Sequence, residues 1–149
     1  MNKKKFDKKC RELADYEDEV LNYAKNNLAQ YVLPLKQNNL CLDICLIWTN
    51  YNSKDPREDI FINRVSFEDG YYCQLFMQIR KNEDSFPDWD LITIWMPINI
   101  TRISFGAFRW QVYFIKNSLK KVQKQLNEME KIIKKVLMKG YQQVMEEGY

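Results

Sequence analysis

A chain of 149 residues, 46% hydrophobic and 29% charged, has the size and make-up of one globular domain with its own core, which excludes a disordered tail or a disulfide-stapled miniprotein. A formal net charge of +3 provides no global field that would force a nucleic-acid or membrane partner, and four glycines with four prolines argue against a loop-rich sandwich. Histidine is absent, which removes the commonest general base near neutral pH, the commonest zinc ligand and every Ser-His-Asp or Cys-His arrangement.

The chain begins MNKKKFDKKC, and acids follow the lysines directly where a secretion signal would carry an apolar stretch. No apolar run approaches the ~20 residues of a membrane span. A cytoplasmic location without membrane contact is therefore expected. Cys10, Cys41, Cys45 and Cys73 are expected as reduced thiols filling core positions.

Phe6, Cys10, Leu13, Val20, Leu21, Ala24, Leu28 and Tyr31 recur in steps of three and four, which predicts a first helix; Glu17 alone is out of place on that stripe. Leu33-Pro34 is expected to end it, because the residue before proline is driven out of the helical region. Leu40, Leu42, Ile44, Leu46 and Trp48 then alternate with Cys41, Asp43, Cys45 and Thr49, the period of a strand with one apolar and one mixed face. TNYNSKDPRED is turn chemistry. Residues 60–67 read as a second strand, joined through Asp69-Gly70 in a tight hairpin to a third at 71–79. Residues 89–96 read as a fourth strand ending at Pro97. The stretch SFGAFRWQVYFI carries both a two-residue and a three-to-four-residue period. Its aromatic and β-branched content favours a fifth strand over residues 104–115, with a helix start at Asn117-Ser118. Leu119, Val122, Leu126, Met129, Ile133 and Val136 mark a long C-terminal helix that Gly140 interrupts. The fold expected is a single α+β domain over residues 1–149: an N-terminal helix, an antiparallel sheet of about five strands, and a long C-terminal helix.

No Gly-rich phosphate loop is present, and Cys41 and Cys45 lack the second close pair that zinc requires, so neither cofactor nor metal is expected. Asp43, inside CLDICLIW, is the one candidate for carboxylate catalysis; the simpler expectation is a carboxylate on the mixed face meeting solvent or an arginine. The charges are segregated. Residues 43–90 hold ten acids against five bases, whereas residues 116–139 hold eight lysines against two glutamates. Asp55, Glu58, Asp59, Asp84, Asp88 and Asp90, mixed with Phe86 and Trp89, suit docking onto a basic groove. Lys120, Lys124, Lys131 and Lys135 fall opposite the apolar stripe of the last helix, where they could meet phosphates or simply solvate it.

The function expected is a non-enzymatic protein that binds and inhibits or regulates another macromolecule, of the phage-encoded inhibitor or immunity-protein type. Its partner would be a protein or nucleoprotein with a basic surface. The alternative is a nucleic-acid-binding accessory protein using the lysine face. A homodimer, if formed, is expected through the C-terminal helix.

Overall fold

The structure, a computed structural model, describes residues 2–50, 70–81, 92–106 and 109–149. Helix α1 spans Lys3–Leu28, capped by Asn2, whose side chain accepts from the Lys5 amide. One 3₁₀ turn, Ala29–Tyr31, leads into a short helix α2, Val32–Gln37. Helical backbone thus runs through Leu33-Pro34, where a stop was expected. Pro34 is the third residue of α2, inside the first turn, where a backbone N–H has no intrahelical partner to lose. Asn39, at φ 60°, makes the turn out of α2.

Four strands come next, β1 (Leu40–Asn50), β2 (Gly70–Lys81), β3 (Ile92–Gly106) and β4 (Arg109–Lys116), in an antiparallel sheet of order β1-β2-β3-β4. The α+β class is as the periodicities predict, with four strands in place of five. Residues 60–67 lie outside the described residues. The tight hairpin expected at Asp69-Gly70 likewise involves residues outside those described, while β2 pairs along its two edges with β1 and β3. The described residues of 104–115 are extended but are not one strand: residues 104–106 end β3, Gly106 pairs with Arg109, and β4 runs back from there. The mixed periodicity of the stretch reflects a chain reversal within it.

Pro97 does not end β3. The Thr93 amide donates to the Tyr149 hydroxyl at 3.3 Å, so amides of that parity point away from β2. Pro97 shares the parity and therefore removes no bond from the β2–β3 ladder. Immediately after it the register shifts: Gln74 pairs with Pro97 but Cys73 pairs with Asn99, leaving Ile98 as the extra residue of a bulge. Before the bulge, Ile92, Ile94 and Met96 face the core; after it, Asn99 and Thr101 do.

The long helix α3 spans Leu119–Lys139, with Ser118 as its N-cap as the sequence indicates, and α4 spans Tyr141–Glu147. Gly140 separates them at φ 96°, ψ 151°. The stripe Val122, Leu126, Met129, Ile133 and Val136 is buried with Leu13, Val20, Ala24 and Leu28 of α1 against Cys73, Leu75, Met77 and Ile79 of β2. Both long helices therefore lie on one face of the sheet. Fully burying each such side chain stabilises the fold by about 1.5–3 kcal/mol. α3's apolar stripe is thus covered by its own chain, while Met138 near its end is 77% exposed.

Candidate functional site

Two features stand out once the strands are in register. The first is a polar cluster inside the helix–sheet interface, built by the bulge. Glu17 on α1 is 7% exposed, and its Oε1 accepts from Asn99 Nδ2 at 3.1 Å while its Oε2 accepts from Trp48 Nε1 at 2.8 Å. Asn99 Nδ2 also donates to Thr101 Oγ1 at 3.0 Å. The carboxylate fixes which way the Asn99 amide points, since the reverse orientation would set two oxygens against each other. That choice leaves Asn99 Oδ1 as the one buried side-chain polar atom without a partner among the described residues. Tyr16, one residue before Glu17, donates its hydroxyl to the carbonyls of Ile98 and Asn117. The Lys116 ammonium stands 5.1 Å from the Tyr16 ring centre.

Burial, and then the charges around Cys73, Glu19 and Glu17, push the Tyr16 phenol up to about 12. Burial, with Glu17 beside it, pushes the Cys73 thiol far above the ordinary range, so it stays protonated and is a packing group at neutral pH. The cluster joins α1, β1, β3 and the start of α3 by side-chain hydrogen bonds, and its chemistry is that of a fixed joint.

The second feature is the face of the sheet away from the helices. Cys45, Phe76 and Trp95 form one cross-strand row. The rings of Phe76 and Trp95 meet at 4.5 Å with a 59° tilt, and Trp95 remains 48% exposed. Ile100 and Ile115 are partners two rows further along, beyond the Ile47–Gln74–Pro97 row, and Ile115 is 52% exposed. Asp43 belongs to this face: its Oδ2 accepts from Arg80 Nε at 2.7 Å and from Gln78 Nε2 at 2.6 Å. The arginine anticipated for Asp43 is Arg80. Cys41 and Cys45 share the face too, and only Cys73 of the four thiols fills the core as expected; Cys45 is exposed. No group of three or more His, Cys, Asp or Glu side chains with metal-holding geometry occurs among the described residues.

Asp55, Glu58, Asp59, Asp84, Phe86, Asp88, Trp89 and Asp90 all lie outside the described residues. Their flanks are described. The segment with Asp55, Glu58 and Asp59 leaves from Asn50 and rejoins at Gly70, whereas the segment with Asp84 to Asp90 leaves from Lys81 and rejoins at Ile92. These junctions sit at opposite ends of β2, about 36 Å apart at ~3.3 Å per residue.

Lys120, Lys124, Lys131 and Lys135 are all exposed on α3, as their spacing implies. Lys131 pairs with Glu128 at 3.3 Å, and its neighbour Lys134 with Glu130 at 3.1 Å. That face looks away from the sheet, so it and the Phe76–Trp95 row lie on opposite sides of the molecule.

The buried joint had a signal in the sequence, the acid at position 17 on an apolar stripe. The exposed aromatic row had none, because Phe76 and Trp95 take their meaning from register across two strands. Compared with protein-family models, with curated proteins and with solved structures, the chain has no significant match. No helix among the described residues is long and apolar enough to cross a membrane.

Proposed function

We propose that this protein acts by binding another macromolecule and inhibiting or regulating it, without catalysis of its own, in the manner of phage-encoded inhibitors and immunity proteins. The observation that carries this reading is Trp95, a large aromatic left half exposed on a sheet face that no described helix covers, and braced by Phe76. Aromatic anchors on a rigid support are what protein interfaces use as centres of binding energy. The acidic residues of the segments that follow Asn50 and Lys81 would add negative charge and steer the chain onto a partner with a basic groove.

Nucleic-acid binding through Lys120, Lys124, Lys131 and Lys135 is less well supported. Single-stranded binding combines a basic track with stacking aromatics on one surface, and here the lysines and the aromatic row are on opposite sides. The test is capture of partners by the tagged protein from its own host, with and without nuclease, using wild type, Trp95→Ala and the triple reversal Asp84→Lys, Asp88→Lys, Asp90→Lys. A single partner that survives nuclease and is lost with either folded variant is the expected result. Capture abolished by nuclease would transfer the function to the lysine face, and capture untouched by both variants would discard the proposed surface.

A further inference from the structure

A cleft of about 480 Å³ opens on the helix side of the sheet, where α2 turns into β1 and α3 gives way to α4. Cavities of about 300–1,000 Å³ are the size that holds small ligands. Every residue lining this one is among those described. Its floor is rigid: Leu40, Val136 and Tyr141 are 5%, 2% and 8% exposed, and the Tyr141 hydroxyl donates to the Ile79 carbonyl at 3.4 Å. Two irregular points of the backbone shape it. Asn39, at φ 60°, swings the chain from α2 into β1, and Gly140, at φ 96°, parts α3 from α4. A Cβ at Gly140 would meet nothing within 4 Å, so the space beside it is open.

Lys81 is the one charged residue of the lining. It shares the core-facing parity of Ile79 on β2, lies opposite Leu40 in the register, and holds its ammonium 5.7 Å from the Tyr141 ring centre. No carboxylate pairs with it among the described residues. Nor does the end of α3 require it: the last turn has its own cation in Lys139, and the Gly140 amide donates to the Val136 carbonyl at 2.9 Å. The cleft thus combines an ammonium steadied over an aromatic ring, the side-chain amide of Asn39 and an apolar floor.

We propose that this cleft binds a small organic monocarboxylate, with the charge on Lys81, a polar edge towards Asn39 and the apolar body over Leu40 and Val136. One ammonium, with no arginine in the lining, balances a single carboxylate, whereas a phosphate monoester brings about 1.5–2 negative charges. The site lies on the helix side of the sheet, away from the Phe76–Trp95 row, and stands whether or not that row docks a partner.

Two-dimensional NMR of the whole chain titrated with benzoate tests this, with benzamide as the neutral isostere. Benzoate is expected to shift the amides of Asn39, Leu40, Gly140 and Tyr141 along one saturating curve. Benzamide is expected to bind ten-fold or more weakly, and Lys81→Gln to weaken benzoate by the same factor. Lys131→Gln, which removes an exposed lysine of α3, is expected to leave benzoate binding unchanged. Should Lys81→Gln alter the spectrum as a whole, the wild-type comparison of benzoate with benzamide provides the reading, together with contacts from benzoate protons to the Val136 methyls. Shifts that fail to saturate, or that spread over the lysines of α3, overturn the proposal. So does benzamide binding as tightly as benzoate, or benzoate binding unaffected by the loss of Lys81.

Discussion

Glu17 occupies the one position where the apolar rhythm of α1 fails, and the failure is a structural choice. A carboxylate at 7% exposure is tolerated because Trp48 and Asn99 both donate to it. Glu17→Ala takes the acceptor from Trp48 Nε1 and one of two acceptors from the buried Asn99 Nδ2, and is expected to destabilise the fold by about 1–3 kcal/mol, read from urea unfolding followed by tryptophan fluorescence. Tyr16 gives the cluster a dependence on pH. Its folded-state pKa is raised from 10.0 to about 12, so the phenol stays neutral in the fold while it ionises in the unfolded chain. Its stabilising contribution is complete below pH 10 and is lost as pH rises from 10 to 12, by up to about 2–3 kcal/mol. Tyr16→Phe is expected to be less stable at pH 8 by about 1 kcal/mol. The gap from wild type should close, and then reverse, as unfolding is measured at rising pH through that window. Glu17 was visible in the sequence as an anomaly, but its partner Asn99 was not, because Asn99 faces inward only after the bulge at Ile98 changes the parity of β3.

At the scale of elements, periodicity located both long helices, the N-cap Ser118, the break at Gly140 and the strands β1 and β2. It misplaced the ends of elements at both prolines that fall within them, and for the same reason. Proline stops an element only where its missing N–H would have been used. Pro34 falls in a first helical turn and Pro97 on an amide that points away from β2, so each is accommodated. Gly140 is the opposite case, where conformation is demanded. No atom would obstruct a Cβ there, yet φ of 96° is a backbone that L side chains rarely adopt. Gly140→Ala is therefore expected to cost about 1–3 kcal/mol through backbone strain alone. Thermal unfolding would show it as a lowered midpoint, and an unchanged midpoint would mean that α3 and α4 can rejoin as one helix without loss.

For the molecule as a whole, the sheet is a divider between two surfaces of different make-up. Helices cover one side, and the other carries the Phe76–Trp95 row and the Asp43–Arg80 pair. Composition and charge led to the expectation of a binding protein with its binding residues in the acidic segments, which lie outside the described residues; a one-dimensional reading finds charge clusters and cannot find a row made of one residue from each of three strands. Nothing in the spacing of Cys45, Phe76 and Trp95 along the chain brings them together; only antiparallel register does.

The strands of this sheet pair with their neighbours in sequence, but α1 finds its helical neighbour only near the far end of the chain. Tyr16 bonds to Asn117, and Tyr23 to Gln123, roughly a hundred positions further along. During synthesis at ~5–20 residues per second, the first helix would thus wait about 5–20 s with its apolar stripe only partly covered before α3 arrives to close over it. The most vulnerable form of this protein is its nascent chain, when the sheet can already assemble and the helix that seals it has yet to be made.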